Sequence, residues 1–458
     1  MKVALVASEA VPYAKTGGLA DVTGALSVYL RRLGLETTLY LPRYRGIKAE
    51  YVTDIEIPFG PAPKVKVFRR DNAVFIDHPV FFDRDGLYGT SAGDYPDNLE
   101  RFTAFNRAVE YLIQRDPVDI VHCHDWQTGL LPLYFKHSGL AVKTVFTVHN
   151  LGYQGRFPAG LYPLLGLPSD YFTPDGLEFF GDMNFLKSGI VYSDALTTVS
   201  DTYSREIQTP ELGCGLDGVV RQRRDHLYGI TNGIDYTLWN PGTDAALERP
   251  YQDFAGKTRN KRALVQECNI DYTRPLIGMV SRIAGQKGFD ILADVFDEII
   301  RMGYCFILLG YGEEPYMSKF KEYEQIYNTQ VSVSLKFDDR QARRIYAGSD
   351  FFLMPSLYEP CGLGQLIGLR YGAVPVVRRT GGLADTVLEF DPGTMAGNGF
   401  LFDDYSGSAL LQALERAVYV YGQPELFTAL TEAGMRSDYS WDRSAIKYRD
   451  LYLKLIQQ

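Results

Sequence analysis

Val3-Ala4-Leu5-Val6-Ala7, then a short approach to Lys15-Thr16-Gly17-Gly18-Leu19-Ala20-Asp21, reads as a strand passing through a glycine turn into a helix. The unbroken apolar run predicts a strand covered on both faces, as in a parallel sheet. The hexapeptide from Thr16 to Asp21 returns at residues 380–385, behind Val374-Pro375-Val376-Val377 and the arginines Arg378 and Arg379. A glycine turn at a helix N-terminus presents backbone N–H groups and the positive end of the helix dipole, so it suits an anion. Two such turns with cations just upstream predict two half-sites acting on one anionic ligand. Glycine pairs can also do no more than relieve a strained turn. Repetition with basic flanks weighs against that, yet the copies do not read alike. The first, behind Lys15, is the more specific anion turn, and the second reads as a supporting cleft turn, since Arg282, Lys287 and residues 359–364 are stronger candidates for its contacts.

The same alternation of strand and helix runs through the chain. Apolar runs predict further strands at 73–77, 120–122, 144–148, 195–199 and 227–230, then at 276–280, 305–309, 330–335, 351–354 and 373–377. Helical patterns between them imply right-handed βαβ units. The fold class is α/β, with two doubly wound Rossmann-like domains. At 458 residues the chain exceeds one compact core. The turn-rich stretch Asn240-Pro241-Gly242-Thr243-Asp244 sets the expected boundary, giving domains 1–242 and 243–440. Residues 441–458 predict an amphipathic helix with Ile446, Tyr448, Leu451, Tyr452 and Leu455 on one side.

A net charge of −9 disfavours a nucleic-acid partner, which needs a basic face. Cys123, Cys214, Cys268, Cys305 and Cys361 are odd in number and lack CxxC spacing, which fits a reducing compartment and no structural zinc. The opening MKVALVASEA passes straight into a strand. No apolar run reaches the roughly 18 residues of a membrane span. A cytoplasmic protein with no membrane partner is expected.

Ligands of doubly wound folds lie beyond the carboxyl ends of the strands, where most motifs here fall. His122-Cys123-His124-Asp125-Trp126 could offer metal ligands, but no further cluster has metal spacing. Asp125 reads better as a hydroxyl acceptor, with the histidines bonded locally. Thr147-Val148-His149-Asn150 ends the next strand at the same edge. Arg282 and Lys287, carried on a glycine-rich turn, suit a diphosphate rather than a solvated loop. Gly310-Tyr311-Gly312-Glu313-Glu314-Pro315 fails as a dinucleotide fingerprint, since Pro315 replaces the third glycine and two acids sit where pyrophosphate would. In Glu359-Pro360-Cys361-Gly362-Leu363-Gly364, Glu359 can accept from sugar hydroxyls and the amides of 362–364 can face an anion. Cys361 reads as packing or a ligand contact, with no nearby base to make it a nucleophile.

Together these motifs, with Asn232-Gly233-Ile234-Asp235, strongly resemble bacterial glycogen synthases and plant starch synthases. These are retaining glucosyltransferases that extend α-1,4-glucan chains, and the resemblance spans nearly the whole chain. It implies the GT-B fold, two Rossmann-like domains facing a central cleft, with the C-terminal helix crossing back to the first. It implies ADP-glucose as donor, with UDP-glucose the alternative, a glycogen, starch or malto-oligosaccharide acceptor, and neither metal nor cofactor. The implied catalytic residues are Asp125, His149, Arg282, Lys287 and Glu359. The implied substrate-binding residues are Lys15, Gly17, Gly18, Asp21, Tyr88, Asn150, Asn232, Phe337, Cys361, Gly362, Leu363, Gly364, Thr380 and Gly381. Among these, Phe337 stands where the family places a ring against the base, and the stretch from Tyr88 to Phe102 resembles the part that meets the glucan. Bacterial members often read EPCGLT, so Gly364 here removes a hydroxyl. A different GT-B transferase should lack Lys15 to Leu19 and the His124-Asp125, His149-Asn150 pair. A non-catalytic glucan- or nucleotide-sugar-binding protein would have lost Arg282, Lys287 or Glu359, and a glucan phosphorylase would need a lysine-bound pyridoxal phosphate.

Overall fold

The computed structural model describes residues 1–90 and 93–458; residues 91 and 92, inside the expected acceptor stretch, lie outside the described residues. The chain divides into two compact units, Met1–Asn232 with Trp441–Gln458, and Gly233–Ser440.

The first unit is built on a sheet whose strands run parallel, in spatial order, from Leu227–Gly229 through Ala195–Thr198, Lys143–Val148, Ile120–His124, Lys2–Val6 and Glu36–Pro42 to Ala73–Asp77. Lys64–Arg70 and Glu50–Glu56 close one edge as antiparallel strands. Neither edge strand, nor Glu36–Pro42, follows from the apolar-run pattern. Lys64–Arg70 alternates charged and apolar residues because one face meets water, Glu50–Glu56 is exposed at every residue but Ile55, and Glu36–Pro42 begins with three polar residues. The central strands carry Val3, Leu5, Val121, Val145 and Leu196 fully buried, each such side chain contributing ~1.5–3 kcal/mol.

The helix Trp441–Ile456 belongs to this unit and packs along Gly18–Arg32. It buries Trp441, Ala445, Tyr448, Leu451, Tyr452 and Leu455, spaced three and four apart. Ile446 falls off that stripe and is exposed, contrary to the sequence expectation.

The second unit holds a wholly parallel sheet in the spatial order Val331–Leu335, Cys305–Gly310, Leu276–Val280, Phe351–Met354, Val374–Arg378, Phe400–Phe402. Its helices begin at side-chain caps where the sequence offers them: Asp253 accepts from Gly256 N–H, Asp338 from Gln341 N–H and Ser406 from Ala409 N–H. Phe289, Phe296, Phe306 and Phe320 fill the core on one face, and Ile345, Phe352, Leu366 and Tyr371 fill the other. The short strand Phe400–Phe402 also escapes the sequence pattern, since three residues carry no periodicity.

Candidate functional site

Each sheet has a switch point where two neighbouring strands send their chains in opposite directions, and a crevice opens there at the carboxyl ends. In the second unit the switch lies between Leu276–Val280 and Phe351–Met354. A cavity of about 170 Å³ occupies it, lined by Arg282, Lys287, Ser356, Glu359, Gly362 and Gly364 among others. Lys287 Nζ donates to Glu359 Oε2 at 2.5 Å, and Ser356 Oγ donates to the same oxygen at 3.1 Å. The pair is largely buried, with side-chain exposures of 17% and 8%. Gly288, at φ +77°, lets this turn press on the next strand: a Cβ there would lie 2.1 Å from the Pro355 carbonyl oxygen. Cation and carboxylate are thus held together in one small pocket that can take a phosphate and a sugar hydroxyl.

Gly364 has its own reason. A Cβ at that position would lie 2.8 Å from the Phe352 ring and 3.3 Å from Met354 Sδ, so the space of the family's threonine is filled by this chain's sheet. Cys361 is buried and does not line the cavity, while Leu363 does. Phe337 stands apart from these residues, 81% exposed, with its ring centroid 6.2 Å from that of Tyr311.

The second copy of the repeated hexapeptide lies behind the pocket. Gly382 N–H donates to the Glu359 carbonyl at 3.1 Å. A Cβ on Gly381 would lie 2.0 Å from that oxygen, and one on Gly382 2.2 Å from the Cys361 carbonyl oxygen. Thr380, Gly381 and Gly382 are buried. Here the glycines allow backbone to meet backbone.

In the first unit the switch lies between Lys2–Val6 and Ile120–His124. The first copy of the hexapeptide opens the helix Gly18–Arg32, with Thr16, Gly17 and Gly18 exposed. Its amides already meet an anion, the buried carboxylate of Glu9. Glu9 accepts from Thr16 N–H, Thr16 Oγ1, Gly17 N–H and the Tyr88 hydroxyl. Sequence reasoning missed Glu9, because the donors that single it out, Tyr88 above all, meet it only in the fold. Lys15 forms an exposed ion pair with Asp21 at 2.8 Å, a contact of at most ~1 kcal/mol. Asn232 ends this stretch of the unit, buried, with its side-chain oxygen lacking a hydrogen-bond partner.

Beside them, Asp125 adopts φ +57° and ψ −179°, a region costing ~1–3 kcal/mol outside glycine. That backbone aims its carboxylate at the next strand end, where Oδ1 accepts from His149 N–H at 2.7 Å. Asn150 turns its own side chain back to accept from Gly152 N–H at 2.9 Å. His149 Nε2 meets His124 Nδ1 at 3.0 Å. Among the described residues no three His, Cys, Asp or Glu side chains converge as a metal ion would require.

Burial dominates the protonation of this cluster. It pushes the imidazolium forms of His122 and His149 down to about 3. It pushes the Asp125 carboxyl up to about 7, against the pull of the His149 N–H bond. The unfolded histidines titrate near 6.5, so the unfolded chain binds more protons below that pH, and stability present above about 6.5 is lost toward acid. Asp125 acts oppositely, since its folded carboxyl holds a proton up to about 7 and so favours folding as pH falls. Two imidazoles outweigh one carboxyl. The urea midpoint is therefore expected to fall between pH 7 and pH 5, and His149→Asn should shrink that fall; an unchanged difference would remove His149 from the account.

Comparison with known proteins places this geometry. Residues 2–222 match the starch synthase catalytic domain, and residues 260–425 match glycosyl transferases group 1. Glycogen synthase from Syntrophotalea carbinolica is 46% identical over 484 residues, covering 100% of this chain and 99% of that protein. Glycogen synthase from Geotalea daltonii is 44% identical over 479 residues, covering 99% of this chain and 98% of its own length. The catalytic domain of starch synthase IV from Arabidopsis thaliana, solved bound to ADP and acarbose, superposes with a TM-score of 0.91 at 34% identity, covering 100% of this chain and 99% of that one. Sucrose-phosphate synthase from Thermosynechococcus elongatus, covering 100% of this chain and 99% of its own, has a TM-score of 0.66 at 15% identity and shares the fold alone. Among the described residues no helix is long and apolar enough to cross a membrane. Likeness of this extent over the whole length decides the family: the chain belongs to the glycogen and starch synthases, GT-B glycosyltransferases that pass glucose from a nucleotide sugar to a glucan.

Proposed function

We propose that the nucleotide sugar is ADP-glucose, and that glucose passes to the non-reducing end of an α-1,4-glucan with retention at the anomeric carbon, releasing ADP. The pocket holding Arg282, Lys287 and Glu359 at the switch of the second unit carries this reading. A donor diphosphate would draw Lys287 and Arg282, and Glu359 would accept from glucose hydroxyls. As the bond from the anomeric carbon to the phosphate oxygen breaks, negative charge grows on that oxygen, and fixed cations stabilise it there. The acceptor hydroxyl bonds to the same face of the sugar and passes its proton to the departing phosphate. In the first unit Lys15 leaves its weak pairing with Asp21 for the phosphate. Asp125, His149 and Asn150 bind the glucose, Tyr88 and its neighbours meet the glucan, and Phe337 stacks on the base. Asn232, Cys361, Thr380 and Gly381 shape or support these contacts. The ADP that accompanies the Arabidopsis domain supports the choice of nucleotide. The five cysteines, odd in number and without CxxC spacing, support a cytoplasmic setting.

The test is nucleotide release with glycogen as acceptor, given ADP-glucose or UDP-glucose, with and without EDTA. ADP release that survives EDTA is expected. Faster UDP release would change the donor, and no release from either would favour a binding protein.

A further inference from the structure

His124 has an unusual place in the first unit. Its Nδ1 meets His149, but its Nε2 is buried without a hydrogen-bond partner. A buried imidazole tied at one nitrogen can swing about that bond. Its plane is packed against the ring of His122, whose centroid lies 4.1 Å away with the planes 34° apart, and more loosely against that of His149 at 5.3 Å. The orientation of His149's partner therefore depends on how firmly His122 is held.

His122 is fully buried and tied at both ends. Its Nδ1 lies 2.7 Å from the hydroxyl of Tyr452, on the helix Trp441–Ile456. Its Nε2 lies 2.5 Å from Thr147 Oγ1, which in turn meets Thr197 Oγ1. The direction of these bonds follows from donor strength, since four protons serve three bonds and one terminal O–H goes undonated in either direction. Among the described residues His122 is the hydrogen-bond partner of the buried Tyr452 hydroxyl, and the phenol, a stronger acid than the threonine hydroxyl at the other end, is the better donor to an imidazole nitrogen. Tyr452 thus donates to Nδ1. The neutral ring then carries its proton on Nε2 and donates to Thr147, which donates to Thr197. One hydroxyl at the far end of the chain sets the direction of the whole row.

We propose that Tyr452 is a positioning residue for glucosyl transfer: its hydroxyl locks His122 in the Nε2–H tautomer and one ring orientation, and the adjoining His124 ring hands that restraint to His149. The consequence for turnover rests on the role given to His149 above. It also makes the docked helix Trp441–Ile456, which packs along the helix opened by the first glycine turn, a condition for an ordered histidine row.

Tyr452→Phe keeps the ring and removes the hydroxyl, so the helix should remain docked. The full-length variant is compared with the parent in steady-state assays and in long-range ¹H–¹⁵N spectra of the imidazoles, where the two tautomers give distinct nitrogen shifts. The expected result is a kcat lowered about tenfold, as for a misplaced reacting group, with the KM for ADP-glucose changed less than about twofold, and His122 passing from one tautomer to a mixture. A kcat within about twofold of the parent overturns the proposal, and so does a lowered kcat with His122 still wholly Nε2–H, which marks a packing effect. His149→Ala is run beside it. Parent-like turnover in that variant overturns the role of His149 and the catalytic consequence with it. An inactive His149→Ala beside a fully active Tyr452→Phe overturns the positioning role alone.

Discussion

Lys287→Ala is expected to lower kcat by about three orders of magnitude, as removal of a fixed charge from a developing anion does. The expectation rests on two effects that act together. The variant loses the ammonium proposed to meet the leaving diphosphate. It also leaves Glu359, 8% exposed and bonded at 2.5 Å in the parent, without its cation. An uncompensated, mostly buried carboxylate is costly, so Glu359 will draw in water or move off the position proposed for the glucose hydroxyls. Lys287→Met keeps the aliphatic stem and removes the charge, so both effects should persist in it while the packing lost in Lys287→Ala is restored. Coupled measurement of ADP release, with the urea midpoint taken alongside, checks both variants. Turnover within tenfold of the parent in a folded Lys287→Ala protein would take Lys287 out of the chemistry.

Gly382→Ala and Gly17→Ala form the second test, one methyl group placed in each copy of the same hexapeptide. At Gly382 the new carbon would lie 2.2 Å from the Cys361 carbonyl oxygen and 2.4 Å from its Cα. Both are main-chain atoms, so no side chain can turn aside. Overpacking of this kind costs ~3 kcal/mol, and the segment that must yield is the one carrying Glu359. Loss of stability and at least a tenfold loss of kcat are expected together. At Gly17 the backbone is extended, with φ −150°, and a Cβ meets nothing within 4 Å. Stability there should stay within ~0.5 kcal/mol, and any change should appear in the KM for the donor. Equal urea midpoints for the two variants would refute the difference between the copies.

The sequence displayed the scaffold because a strand buried on both faces must be apolar throughout. The runs at Val3, Val145, Ile277 and Phe351 are therefore legible one segment at a time. Glu50–Glu56 and Lys64–Arg70 were not, since an exposed edge carries charges that look like loop. Arg282, Lys287 and Glu359 could be picked out from residue type and placement after strands. Glu9 could not be weighed, because its importance lies in four donors that converge on it from Thr16, Gly17 and Tyr88. Nor could the tie between His122 and Tyr452, which are 330 residues apart in the chain.

The sequence by itself determined the alternation of strand and helix, the family, and the presence of two identical glycine turns ahead of helices. Only the tertiary structure decided that one turn is exposed with its amides on Glu9, and the other is buried as a spacer against residues 359–361. The physical reason is that a glycine turn carries no side chain to declare its role. What it does is set by whatever the fold brings to its bare backbone.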